Sequence, residues 1–360
     1  MRKGDKITGH KGTYTILKDF EVTGGMSKVT LGKLDTDSNV YFIKEFLSPK
    51  YPGDKNMAGS SATVKKRIAR CEQFENHHNK INKEIAKKSS IGGNLISAFD
   101  FFRNGTTYFK ICEKVDISSI SISAVSKIPA LQRLLIIRTI VSSLKILHDL
   151  DIVHGDLKQD NILIKKISDE KYVSKLIDFD NSYFSSNPPS NSEEVIGTQE
   201  YYSPELAKYI TGSDDIKAKD LTTQSDIFAL GILFSEYWCG EKPIIEKKYR
   251  YIWQQILDGK KVVFSIKIPP VLQELIEKML SQNPKERPTL SEIISIFRSH
   301  DEALYEPVET RKEPKVEPSF STGGGLKGKL FDKISSSKST ESSEKRDEPE
   351  QPRLKGKLLK

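Results

Sequence analysis

Between residues 13 and 46 apolar and polar positions alternate with a period of two, in the stretches YTILKDFEV, SKVTLGKLD and VYFIKEF, with turn residues between them. Such alternation marks strands buried on one face, so this segment predicts three antiparallel strands. Residues 47–61 contain Pro and Gly and read as a loop. From about residue 62 to 89 the period lengthens: Phe74, His78, Ile81 and Ile85 recur at helical spacing, and SSIGG ends the pattern. LISAFDFF and TTYFKICEKV then read as a hairpin turning at Asn104-Gly105. Residues 127–300 read mostly as helices, over 131–149, 226–238, 249–258, 270–280 and 290–298. A β-rich lobe followed by a helical lobe predicts an α+β, bilobal fold.

The last sixty residues break the pattern. Positions 301–360 hold 13 basic and 12 acidic residues but three aromatics, too little apolar surface to form a core, so this tail is expected to be disordered. It repeats LKGKL at 326–330 and 354–358, a candidate pair of docking motifs in which leucines fill a pocket and lysines meet an acidic rim. The 360-residue chain carries 57 basic and 49 acidic residues, for a net charge of +8. The excess is diffuse, which argues for a solvated surface and against a dedicated nucleic-acid face. Cys71, Cys112 and Cys239 are scattered without metal spacing and read as free thiols in a reducing, cytoplasmic setting. The N-terminus has no apolar leader. The most apolar stretch, 131–150, contains Arg133, Arg138 and Lys145, which excludes a membrane span.

Two short stretches carry chemistry: IVHGDLKQDNILI at 152–164 and LIDFD at 176–180. Phosphoryl transfer needs a cradle for phosphates, cations to absorb charge and a carboxylate to orient the attacking hydroxyl. Asp156 suits the acceptor of the hydroxyl proton, and Lys158 a cation beside the transferred phosphate. Asn161, five residues after Asp156, and Asp178, after an apolar strand, suit the two contacts to a metal ion.

These motifs resemble the eukaryotic-type (Hanks-type) serine/threonine protein kinase family over roughly residues 13–299. The resemblance implies an N-lobe at 13–115, a C-lobe at 116–299, and ATP and Mg2+ as cosubstrate and cofactor. HGDLKQDN is similar to the catalytic loop and DFD to the metal-binding Asp-Phe-Gly. VYFIKEF places Lys44 as the strand lysine that pairs with the α- and β-phosphates. FEVTGGMSKVTLG resembles the phosphate-covering loop, with Gly24, Gly25 and Val29 against nucleotide, and GGMSKV looks most like bacterial members. FKICEKVD resembles the fifth strand and hinge: Cys112 at the gatekeeper, Glu113 and Val115 bonding adenine through their backbones, Asp116 near ribose, with Leu163 beneath the base.

Small-molecule phosphotransferases such as aminoglycoside and choline kinases also favour His-Gly-Asp, and they too carry an acid near the metal-binding Asp, as Asp180 does here. GTQEYYSPEL separates the two, because it resembles the platform on which protein kinases lay an extended peptide. The resemblance implies that Thr198 bonds Asp156 and Lys158, that Glu205 pairs with Arg287, and that Asp226 braces the catalytic loop. The expected activity is transfer of the γ-phosphate of ATP to Ser/Thr hydroxyls of protein substrates. A small-molecule kinase is the alternative, as is a kinase-fold scaffold without catalysis, which Val22, Phe42 and Asp180 favour.

Several positions depart from the pattern. Val22 and Ser27 stand at two of the three glycine positions, and Phe42 stands where a small residue faces adenine. The glutamate partner of Lys44 is Glu84 by spacing, with Glu75 as the alternative. Gly155 replaces the Arg that anchors activation-loop phosphate. Ser182, Ser185, Ser186, Ser190 and Ser192 are candidate phosphorylation positions, with Lys171 and Lys175 the nearest cations in sequence.

Overall fold

The computed structural model describes residues 1–23, 27–37, 39–53, 62–89, 93–114, 120–168 and 171–300. The predicted tail with its LKGKL copies lies outside the described residues, as do Gly24, Gly25, Val115 and Asp116.

Seven strands form one antiparallel sheet: β1 (Lys6–Thr8), β2 (Thr13–Ile16), β3 (Glu21–Thr23), β4 (Ser27–Leu34), β5 (Val40–Phe46), β6 (Ala98–Asn104) and β7 (Thr107–Glu113). Their order is β1-β2-β4-β5-β7-β6, with β3 on β4. The sheet starts ahead of the expected position 13, because Lys6–Thr8 pairs with Thr13–Thr15 and buries Ile7 completely. YTILKDFEV forms two strands rather than one. Ile16 opposes Gly32 and Glu21 opposes Val29, so four residues on one side span two on the other and the ladder is interrupted.

Alternation assigns the two faces of this sheet. Tyr41, Ile43, Phe109 and Ile111 join Ile7, Tyr14 and Ile16 in one apolar layer. Phe42, Lys44 and Phe46 on β5, with Tyr108, Lys110 and Cys112 on β7, point to the opposite face. That face is partly covered by α1 (Ala62–Ser89), where His78, Ile81 and Ile85 of the expected stripe are buried, Phe74 is half-buried, and Cys71 one turn earlier is buried as well.

The helical lobe contains α2 (Ile122–Val125), α3 (Ala130–His148), α4 (Pro204–Ile210), α5 (Gln224–Cys239), α6 (Ile252–Leu257), α7 (Pro270–Met279) and α8 (Leu290–Ser299). All of Ser225–Trp238 is buried, so α5 is the axis of the lobe, as expected of a helix apolar on every side. The expected helix at 249–258 starts only at Ile252, because the Gln254 side chain turns back to accept from the amides of Arg250 and Tyr251. Four short strands sit between α3 and α4: β8 (Ile152–Val153), β9 (Ile162–Lys166), β10 (Tyr172–Leu176) and β11 (Tyr183–Phe184). β8 pairs with β11 and β9 with β10, which sets the two sequence motifs beside one another. Among the described residues no helix is long and apolar enough to cross a membrane.

Candidate active site

Cross-strand register builds the upper half of the site. Val29, Lys44 and Lys110 are direct partners in one row across β4, β5 and β7, and Leu31, Phe42 and Cys112 form the next. Val22 and Phe42 are 65% and 38% exposed, large values for apolar side chains, so this half keeps an open apolar surface suited to a flat base. Glu113 closes β7, with Val115 just beyond in the undescribed stretch. Leu163, half-buried on β9, is the apolar position expected from the other lobe.

Two lysines directly opposite on one sheet face repel unless anions stand between them. Here two carboxylates do. Lys44 Nζ lies 2.9 and 3.0 Å from the oxygens of Asp178 and 2.6 Å from Asp180 Oδ2. Lys110 Nζ donates to Asp180 Oδ1 at 2.7 Å. Burial alone would raise the pKa of Asp180, but the charges of Lys110 and Lys44 outweigh it and hold the carboxyl well below its usual range. Asp178 is raised instead, by burial and then by the charge of Asp180. Asp178 follows the β9–β10 hairpin in the left-handed region, with φ of 61°, a conformation that side chains other than Gly seldom hold and that recurs at functional sites.

The lower half is the loop between β8 and β9. Thr198 Oγ1 donates to Asp156 Oδ1 at 2.8 Å and accepts from Lys158 Nζ at 2.8 Å, while Lys158 also lies 3.0 Å from Asp156 Oδ2. Asn161 Nδ2 donates to the Asp156 carbonyl at 2.7 Å, which fixes the amide within reach of the same carboxylate. Asp226, at the start of α5, accepts from the amides of His154 (2.7 Å) and Gly155 (3.2 Å) and meets His148 at 3.0 Å. Glu205 and Arg287 form a buried bidentate pair, both contacts at 2.7 Å. The two residues expected to hold a metal, Asp178 and Asn161, offer one carboxylate and one amide oxygen. That set of hard oxygen ligands fits Mg2+, which is held by one or two carboxylates together with substrate phosphates.

The lysine partner departs from both expected glutamates. Glu84 accepts from Lys87 at 2.7 Å on the helix surface, and Glu75 meets Tyr108 OH at 3.4 Å. Lys44 turns instead to Asp178 and Asp180. The residue of α1 that faces the sheet here is His78, whose ring lies 5.2 Å from that of Phe46 and 5.0 Å from that of Phe101. Burial pushes His78 down to about 3, so it is uncharged near neutrality. Reading the chain residue by residue missed Lys110. Its signal was present, since alternation on β7 puts it on the same face as Cys112.

Gly155 has φ of +79°, and a Cβ there would lie 2.4 Å from the Asn181 carbonyl, so the loop geometry itself requires glycine. Of the five candidate serines, Ser182 is buried and donates to the His154 carbonyl at 2.9 Å, which removes it from reach of a modifying enzyme. Lys175 is occupied with the Gly93 carbonyl. His77 of α1 bonds the Ser182 carbonyl at 2.8 Å, and Lys80 lies over the Phe184 ring, so the helix holds the start of the activation segment.

Residues 23–296 match the protein kinase domain, and the chain belongs to the protein kinase family. It is similar to a probable cAMP-dependent protein kinase catalytic subunit of Encephalitozoon cuniculi, 33% identical over 202 residues, which are 52% of this chain and 56% of that one. It is also similar to calcium-dependent protein kinase SK5 of Glycine max (32% identical, 44% of this chain and 30% of that one) and to serine/threonine-protein kinase PKH2 of Candida albicans (27% identical, 50% and 19%). The chain therefore spans about half or less of these relatives' length. These relatives are eukaryotic, so the likeness of GGMSKV to bacterial members finds no support among them.

Proposed function

We propose that residues 13–299 form an ATP- and Mg2+-dependent kinase that phosphorylates Ser/Thr hydroxyls of protein substrates. The observation that carries this reading is the Asp156–Thr198–Lys158 triangle. It ties a proton-accepting carboxylate and a phosphate-facing cation to the GTQEYYSPEL segment, of which Thr198 is the second residue. In this reading Asp156 orients the hydroxyl and takes its proton, Lys158 offsets charge on the transferred group, and Lys44 steadies the phosphates of ATP. Asn161 and Asp178 would hold Mg2+, which when bound neutralises charge on the phosphate oxygens. Protein rather than small-molecule acceptors are favoured because Glu205, Arg287 and Asp226 brace an extended platform beside Asp156. We assign the enzyme to the cytoplasm and the LKGKL copies to docking of a protein partner, on composition alone.

The test is transfer from labelled ATP with Mg2+ to a generic basic protein and to small hydroxyl compounds, for the wild type and Asp156→Asn. The expected result is label on protein, reduced about 100-fold or more in the variant while nucleotide affinity persists. Near-wild-type turnover in Asp156→Asn would overturn the assignment. Label on small acceptors alone would favour the other phosphotransferase class.

A further inference from the structure

The geometry points to a relocated anchor for the phosphate-facing lysine: we infer that Asp180, itself fixed by Lys110, is the residue that positions Lys44, in place of any acid on α1. The inference rests on the kinase reading above and concerns two positioning residues that the reaction scheme does not use.

Four observations carry it. First, Lys44 and Lys110 are direct cross-strand partners on one face of the sheet, and like charges in that relation are destabilising unless an anion is shared between them. Asp180 is that anion, 2.6 Å from one ammonium and 2.7 Å from the other. Second, the Lys110 side chain is 4% exposed and the Asp180 side chain 10%. Both side chains are thus withdrawn from solvent, with their charges directed at each other and at Lys44. Third, Asp178 also touches Lys44, but its side chain is 37% exposed, and it is the carboxylate that the proposed function gives to the metal. When Asp178 turns to that task, Asp180 remains as the anion holding Lys44. Fourth, among the described contacts none of the three acids on α1 meets Lys44. Glu72 is exposed, Glu84 is engaged by Lys87, Glu75 lies by Tyr108, and the buried polar residue of α1 on the sheet side is His78, wedged among Phe46, Phe74 and Phe101.

The arrangement makes a specific demand. Taking away Lys110 and Asp180 together leaves the buried charge balanced, so the fold should persist while Lys44 loses its anchor. Restoring an acid from the helix should put the anchor back. The test compares the full-length wild type, Lys110→Met/Asp180→Gly, and that double variant with His78→Glu added. Each is assayed for kcat/KM with ATP, for affinity for ADP in the absence of magnesium by calorimetry, and for its thermal transition. The double variant should melt cooperatively, lose tenfold or more in kcat/KM and bind magnesium-free ADP at least tenfold more weakly. Adding His78→Glu should bring both quantities to within about threefold of wild type, a recovery that a merely structural defect would not show. If the Met/Gly pair melts without a cooperative transition, Lys110→Gln/Asp180→Asn replaces it, since it keeps a hydrogen bond and removes only the charges. The same losses are expected of it. ADP affinity within twofold of wild type in a folded double variant would overturn the inference, as would a folded triple variant no better than the double. Because the ADP measurement needs no phosphoryl transfer, a wild type that transfers nothing would refute the proposed activity and leave the anchor to be judged by affinity alone.

Discussion

Two buried ionic centres in this molecule are built on opposite plans. Arg287 and Glu205 form a closed one. Their side chains are 0% and 3% exposed, Arg287 donates to both Glu205 oxygens and to the carbonyls of Ser281 and Gln224, and Ser225 supplies Glu205 with a further donor. The centre at Lys44, Lys110, Asp178 and Asp180 is equally balanced in charge but is left open at one corner, where Asp178 reaches the surface. A saturated pair has no valence to spare and serves only the fold. An open set keeps one carboxylate partly exposed while its inner members are held by one another, an arrangement that leaves an oxygen ligand available to a metal and a cation to a polyphosphate.

The strongest way to break this comparison is to remove one partner of the closed pair. Arg287→Ala strands Glu205 without its cation in a dry site, and breaking such a pair costs about 3–5 kcal/mol. Urea unfolding of the variant should show a loss of that size. A loss under about 1 kcal/mol would mean that the pair is not the closed structural element described here.

Glu236 sharpens the contrast with a smaller effect. It is a buried acid satisfied by a hydroxyl, with Tyr201 OH donating to its two oxygens at 2.9 and 2.8 Å. Burial raises its pKa to about 7, against the hydrogen bond from Tyr201 and the charge of Lys242. The folded state therefore binds the proton more tightly than the unfolded state. Stability is greatest on the acid side and falls as pH rises from the ordinary glutamate range through about 7, by on the order of 3 kcal/mol if the shift is fully expressed. Unfolding measured between pH 5 and 8.5 should show this slope in the wild type and lose it in Glu236→Gln. Identical slopes in both proteins would mean that Glu236 is ionised throughout.

What could be read in the chain beforehand divides along the same line between local and non-local information. The period-two stretches SKVTLGKLD and VYFIKEF and the α1 stripe at His78, Ile81 and Ile85, with Phe74 half-buried beside it, are local patterns that reappear in the fold where they were expected; the spacing of Asp156, Asn161 and Asp178 is local too. Ser203, Pro204 and Glu205 were also a local signal for the start of α4, since Ser203 caps the helix and Pro204 takes its first position. The break at Leu17–Phe20 is non-local because it depends on how β2 and β3 register against β4. The partner of Lys44 is non-local for the same reason. Spacing along the sequence directed the search to Glu84, with Glu75 as the alternative, whereas the answer depended on β5–β7 register placing Lys110 beside Lys44 and on the turn after β10 delivering Asp180 to both. Gly155 is intermediate: its lack of charge was legible, but the contact with Asn181 that demands glycine was not.

The most direct measurement of the central claim, that the open charge centre is where metal and nucleotide meet, is the magnesium dependence of nucleotide affinity in the wild type and in Asp178→Ala. Calorimetric titration of ADP with and without magnesium should give tighter binding with magnesium in the wild type. In a folded Asp178→Ala protein that gain should vanish. An undiminished gain in the variant would contradict the claim and would place the metal elsewhere.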